Sequence, residues 1–449
     1  MNVKQIALVG LGLALGLGAT WQEPVQALPG ARSALPLDQV VQFTDVYRLI
    51  RSDYVESVPG SKLMANALAG MVGALDAQSV YYDQDAMRSL LAGSADGVGV
   101  GLVLALDDGY ARVVTPLEGS PAFRAGIKAG DLITRIDSTP VKGLTLEEVN
   151  HKLRGAARSR VRLTIARRFD DKPWLVPLER EAAGFVSVSG KFAAPGYAWV
   201  RVSHLTENTL AQLAATLTTL HGHDPALKGL VLDLRNDPGG LLPGAIGVAA
   251  AFLPPGQQVG STRGQVASSN EVFYARPQFY GSGSDPLARL APAFKSVPMV
   301  VLINGGTAAG AEIVAAALQD AKRATVMGSR SFGLGSVQTM RSLPNGAALK
   351  LTTARYYTPG GAAIERLGVT PTLAVDETAA LATPAGEPGR PAARVPLAFG
   401  SASDFQLAQA LNHLRGAPVQ LAASAAAAAP ADPAAAAASA RAPDGAPRQ

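Results

Sequence analysis

Cysteine is absent from all 449 residues, so no disulfide can brace the fold, and neither a thiol nucleophile nor a thiolate zinc site is available. Stability has to come from packing in a core of adequate size. Aromatic residues are sparse, at 6%. The short basic pairs Arg158/Arg160, Arg167/Arg168 and Lys322/Arg323 carry no interleaved aromatics, which points to solvated faces and away from a nucleic-acid surface. Histidine is scattered, and only His221-Gly-His223-Asp224 has a metal-like spacing. No third ligand accompanies it, so it reads as a polar loop preceding a strand; no metal and no cofactor are expected. The formal net charge of +5 is unchanged by removing residues 1–27, which hold Lys4 and Glu23, and implies no polyanionic partner.

Long apolar runs are missing, with one exception. After Met1–Gln5 an uncharged apolar stretch extends from Ile6 to Thr20 and is followed by Val25-Gln26-Ala27, the small-x-small pattern cut by signal peptidase. The run is about 15 residues, short of the roughly 20 that a spanning helix needs. Residues 1–27 are therefore expected to be a signal peptide cleaved near Ala27, with the mature chain periplasmic or secreted; the alternative is an uncleaved anchor.

What is present divides the chain. Over 36–91 apolar residues recur at helical steps, first Val40, Val41, Phe43, Val46, Tyr47 and Ile50, then Leu63 to Leu75, giving an N-terminal helical region whose stripe serves packing or dimerisation. Over 96–168 strands are broken by Gly and Asp turns around the amphipathic segment LTLEEVNHKLRG. Over 182–377 apolar strands such as Leu230 to Leu234 alternate with helices, which argues for an α/β sheet covered on its faces. Residues 380–449 are Ala- and Pro-rich with one amphipathic stretch, FQLAQALNHL; the last part lacks large apolar side chains and is expected to be disordered.

The segment VVLINGGTAAGAEIVAAALQD, continuing to SFGLGSVQ, closely resembles the carboxyl-terminal processing (tail-specific) serine proteases, as do LVLDLRNDPGG and LKLTTARYYTPGGAAIERLGVTPTL. The resemblance covers Pro36 to Glu377 and implies the fold class: α/β plus PDZ, with an N-terminal helical region, an inserted PDZ β-domain and a protease-like α/β core. It also implies a Ser nucleophile at the position of Ala309 and a Lys base at the position of Leu334, 25 residues later, oriented by Gln338. Alanine has no oxygen to attack a carbonyl, and leucine has no nitrogen to take a proton. Losing one such group typically costs on the order of 10⁴ to 10⁶ in turnover. Rescue would require another hydroxyl, from Thr307, Ser329, Ser331 or Ser336, with Lys322 or Lys350 as base. The turn Asp237-Pro238-Gly239-Gly240 corresponds to one thought to supply backbone N–H groups to an oxyanion site, or it is simply a tight strand-to-helix turn.

GVGVGLVL followed by SPAFRAGIKAGDLI resembles a PDZ domain, which adds a chain terminus as a strand at a sheet edge. The resemblance implies a carboxylate turn at Gly97, Val98, Gly99 and Val100, with Gly101 and Leu102 continuing into the edge strand; the bland alternative is a glycine-bulged strand without a ligand. The functional expectation is a secreted family member, catalytically inactive, binding protein or peptide C-terminal tails and acting as adaptor, decoy or partner of an active protease paralogue. Two alternatives stand beside it: an endopeptidase with a non-standard nucleophile, and a structural envelope protein.

Overall fold

The structure is a computed structural model and describes residues 36–93, 98–107, 109–167, 172–182, 186–281, 283–376 and 398–422. Two helices lead it, α1 (Leu37–Asp53) and α2 (Gly60–Gly73). No residue of α1 is buried, and Leu37, Val41 and Leu49 are exposed; of its apolar stripe, Tyr47 reaches Gly60 at the start of α2. A short strand, β1 (Val80–Tyr82), and α3 (Gln84–Gly93) follow. None of the described helices is long and apolar enough to cross a membrane.

The next unit comprises β2 (Val98–Gly99), β3 (Leu102–Asp107), β4 (Tyr110–Pro116), α4 (Pro121–Arg124), β5 (Leu132–Ile136), β6 (Thr139–Pro140), α5 (Leu146–Leu153), β7 (Arg160–Ala166), β8 (Trp174–Glu179) and β9 (Glu181–Ala182). Strands β3-β4-β5-β7-β8 form one antiparallel sheet with β6 beside β5, and β2 pairs separately with β9. A capping box starts α5: the Glu148 amide donates to Thr145 Oγ1 (3.2 Å), and the Thr145 amide donates to Glu148 Oε2 (2.7 Å). Val149 and Leu153, one helical turn apart, then bury against Ile133, Ile136 and Leu163. Strand β3 keeps one edge of its ladder unpaired within the sheet.

The largest unit contains β10 (Val188–Ala194), β11 (Tyr197–Val202), α6 (Thr209–His223), β12 (Gly229–Asp233), α7 (Leu242–Phe252), β13 (Gln258–Gly264), β14 (Glu271–Tyr274), α8 (Pro277–Tyr280), β15 (Met299–Ile303), α9 (Gly310–Asp320), β16 (Thr325–Gly328), β17 (Ser336–Ser342), β18 (Ala348–Tyr357), β19 (Leu373–Ala374) and α10 (Phe405–Leu414). Its main sheet has the order β10-β11-β12-β15-β16-β19 and is parallel except for β10 against β11. Every residue of β12 and β15 is buried, as continuous apolar parallel strands require. A second, antiparallel sheet joins β1-β18-β13-β14, with β17 on β18.

Alternate residues of the central strands face opposite covers. Leu230, Leu232, Val301 and Ile303 pack with α6, α7 and α9. Val231, Val300 and Leu302 pack instead with Trp199, Met327 and the α10 residues Leu407 and Ala410. The Ala- and Pro-rich composition beyond residue 377 predicts an extension outside the core. The structure makes 398–422 the second cover of the sheet. The attachment is ionic as well as apolar: Arg235, 1% exposed, donates to Asp233 Oδ2 (2.6 Å), to both carboxylate oxygens of Asp404 (2.9 and 2.6 Å) and to Gln406 Oε1 (3.1 Å). Asp404 in turn caps α10 by accepting from the Leu407 amide (3.1 Å).

Replacing Asp404 with Ala leaves a buried guanidinium partly unpaired and uncaps α10, so the chain should lose about 3 kcal/mol of stability. Thermal unfolding checks this, and an unchanged midpoint would place the C-terminal cover outside the cooperative core.

Candidate functional site

The carboxyl ends of β12 and β15 lie side by side in the parallel sheet, the place where α/β sheets form sites. Two asparagines knit the loops that leave them. The Asn236 amide donates to Asn304 Oδ1 (2.9 Å), and Asn304 Nδ2 donates to Asn236 Oδ1 (2.9 Å). Thr307, fully buried, accepts from the Asn304 amide (3.0 Å) and donates to Leu234 O (2.7 Å). Its hydroxyl is therefore a brace and not a free nucleophile.

These contacts deliver the chain to Ala309, the N-cap of α9, at φ 48° and ψ −116°. That conformation is sparsely populated for a residue with a Cβ and costs on the order of 1–3 kcal/mol. The turn at Asp237-Pro238-Gly239-Gly240 presses against it. A Cβ on Gly239 (φ 84°) would lie 2.6 Å from the Gly310 amide nitrogen and 2.9 Å from the Ala309 Cβ, so only glycine fits. The Gly239 amide donates to Asp237 Oδ1 (2.8 Å).

Glu312, the third residue of α9, is fully buried and organises the other side. Its carboxylate accepts from the amides of Ala309 (2.9 Å), Gly333 (2.8 Å) and Leu334 (2.9 Å) and from the hydroxyl of Ser331. One side chain thus holds the Ala309 and Leu334 loops together. Burial pushes the Glu312 carboxyl up to about 7 against the pull of these donors. Burial pushes Asp237 further, to about 8, and its Oδ2 is buried without a hydrogen-bond partner. The neutral acid is the form that such an orphan oxygen favours.

The remaining candidates do not assemble into a replacement machine. Ser331 is spent on Glu312 and on the Val369 amide (2.6 Å). Ser336 accepts from Gln338 Nε2 (2.9 Å), so Gln338 faces a neighbour on its own strand. Ser329 is exposed, and Lys322 sits beyond the far end of the 11-residue helix α9, roughly 16 Å of helix from Ala309. Lys350 lies on β18 opposite Val80, with its pKa lowered by burial and sustained by the Glu147 and Asp76 carboxylates. His221 and His223 occupy the last turn of α6, not a loop, and His221 packs on Phe294 with ring centroids 5.8 Å apart.

Leu334 is half-buried in a small cluster with Ala308, Phe332 and, from β3 and β4, Val103, Ala105 and Val114. The β3–β4 hairpin therefore rests on the loops flanking Ala309. Thr115 Oγ1 donates to Asn236 O (3.2 Å), Arg112 lies over the Phe332 ring (4.8 Å), and Arg201 pairs with Glu118. An ammonium at Leu334 would have to be desolvated in this seam, whereas the isobutyl group fills it without a charge to satisfy.

The second candidate site is a groove of about 270 Å³ between the start of β3 and the C-terminal half of α5, lined by Val98 to Leu102 together with Leu153 and Arg154. Gly97 lies outside the described residues. Val98 and Gly99 form a short strand with Glu181 and Ala182, Val100 is buried, and Gly101 turns the chain at φ 72°, where a Cβ would meet the Ser120 side chain at 2.1 Å. The sequence placed Gly101 in the edge strand; the strand starts one residue later, because only a glycine can take that turn. Neither Glu312 as the clamp nor Asp237 as the orphan stands out in the sequence, since both roles depend on partners that only folding brings together.

Two family models match within these units. Peptidase family S41 matches residues 196–375, and a PDZ domain matches residues 112–167. The chain is 39% identical over 345 residues to the carboxy-terminal-processing protease of Bartonella bacilliformis, covering 76% of this chain and 75% of that one. It is 32% identical over 339 residues to the "Probable CtpA-like serine protease" of Staphylococcus aureus, covering 74% of this chain and 64% of that one. Among solved structures, the photosystem II D1 C-terminal processing protease superposes with a TM-score of 0.61 at 28% identity, over 75% of this chain and 92% of that chain.

Asp237 and Glu312 both bind protons more tightly folded than unfolded. The stability they contribute is complete below the ordinary carboxylate range and is lost as pH rises through about 7 for Glu312 and about 8 for Asp237. The unfolding midpoint of the native chain should therefore fall between about pH 5 and about pH 9. Asp237→Asn, which keeps an acceptor for the Gly239 amide, should flatten that fall; an identical slope in the variant would show that Asp237 does not titrate there.

Proposed function

The chain belongs to the carboxy-terminal-processing proteases of peptidase family S41, and from that premise we propose that it works without proteolytic chemistry, holding protein or peptide C-terminal tails in its PDZ domain. The observation that carries this reading is the head of α9, where a strained backbone that would aim a nucleophile presents the methyl group of Ala309. Around it the other requirements of acyl transfer are also missing. The position of the base is an apolar side chain in an interdomain seam, and the amide of Gly239 is already bonded. The hydroxyls of Thr307, Ser331 and Ser336 are engaged in braces, which gives no support to a substitute nucleophile.

The PDZ domain, by contrast, keeps what tail binding needs: an edge strand, β3, a facing helix, α5, and a glycine turn at the end of the groove. The leading segment Met1–Ala27 supports export to a periplasm or the medium. A tail-binding protein of this kind would serve as adaptor or decoy, or as the substrate-holding partner of an active paralogue.

Two measurements test the proposal. The purified chain should leave an unstructured protein with an apolar C terminus intact, while the double variant Ala309→Ser, Leu334→Lys should cut it slowly; cleavage by the native chain overturns the inactive reading. In a binding assay a peptide with an apolar last residue and a free carboxylate should bind about tenfold more tightly than its C-terminal amide, because charge-assisted hydrogen bonds are the strong ones. Equal or absent binding of both peptides would remove the PDZ domain from the function.

A further inference from the structure

The groove beside β3 presents an electrostatic difficulty for the ligand proposed above. Helix α5 points its C-terminal end at the turn, and the partial negative charge of a helix end repels a carboxylate. Glu181 adds a full negative charge on the same lining. Two arginines reduce this field without being free to bind a ligand. Arg180 is buried and spends its guanidinium on Leu153 O (3.0 Å), Lys152 O (2.8 Å), Arg160 O (3.1 Å) and Ser159 Oγ (3.0 Å). Arg124 is paired with Glu181 and with Gly119 O.

Arg154, the C-cap of α5, is the single cationic side chain among the described residues that line the groove. Its counterion is Glu147, two turns back on the same helix, and the pair is loose, with 3.9 Å between Nη1 and Oε1 and half of the Arg154 side chain in solvent. Such an exposed pair holds its partners weakly. Glu147 is not stranded when it is given up, because it is itself partly solvated and its charge also acts on Lys350 of the core.

We infer that Arg154 is a specificity residue that reads the free terminal carboxylate of the bound tail, exchanging Glu147 for the ligand. The inference rests on the tail-binding reading. A backbone turn offers only N–H dipoles to the carboxylate, whereas a planar guanidinium offers a charge and two parallel donors. Arg154 thereby overcomes the repulsion from the helix end and from Glu181, and discriminates a true C terminus from an internal strand or an amide.

The test uses the full chain and two fluorescent peptides identical except for a free-acid or amide terminus, followed by anisotropy, with a thermal melt confirming that each variant is folded. Arg154→Gln should reduce the acid-over-amide preference several-fold with little change in amide affinity, and Arg154→Lys should restore part of it. Glu147→Gln, which removes the competing carboxylate, should tighten acid binding a few-fold. If Arg154→Gln keeps the native acid-to-amide ratio, the role of Arg154 is overturned while tail binding stands. If the native chain binds neither peptide, both fall together.

Discussion

The carboxylate of Glu312 is the contact on which the candidate site depends. It takes three backbone amides and one hydroxyl, joining the start of α9 to the loop that carries Leu334. Both loops leave the carboxyl ends of sheet strands, where the ladder stops and the backbone must find other partners. A buried acid with several donors supplies them at one point. Its elevated pKa records the cost: burial opposes the charge, and the donors only partly offset it.

That clamp holds a rigid frame around Ala309 and Leu334. Ala309 is held at a left-handed φ, and Gly239 approaches so closely that no Cβ could be accommodated. Strain of this kind survives when the surroundings over-determine it, and here the surroundings are Glu312, the Asn236–Asn304 pair and Thr307. Ala309 and Leu334 thus sit in a well-supported scaffold. Leu334 fills the contact between the core loops and the β3–β4 hairpin.

A second polar hub joins parts of the chain that are far apart in sequence. Asp233 and Arg235 at the end of β12 meet Asp404 from the C-terminal cover, and Arg201 reaches from β11 to Asp233 and to Glu118 of the PDZ domain. Phe399 lies beneath both guanidinium groups, 3.9 Å from that of Arg201 and 4.7 Å from that of Arg235, and faces Phe123 of the PDZ domain with ring centroids 6.3 Å apart. The orientation of the PDZ domain on the core is thus fixed partly by residues that follow the α/β sheet in the chain.

By itself the sequence determined the family and its PDZ and α/β units, because motifs such as LVLDLRNDPGG and AEIVAAALQD record short-range patterns of strand, turn and helix that spacing preserves. Identity at Ala309 and Leu334 was equally legible, since a missing oxygen or nitrogen needs no coordinates. What only the tertiary structure decided were the long-range pairings. Helix α10 is the second cover of the sheet, Glu312 is the centre of the site around Ala309, and the Asp237 acid has an orphaned oxygen. Each depends on which groups meet after folding, and burial and hydrogen bonding between distant segments leave no mark in local composition.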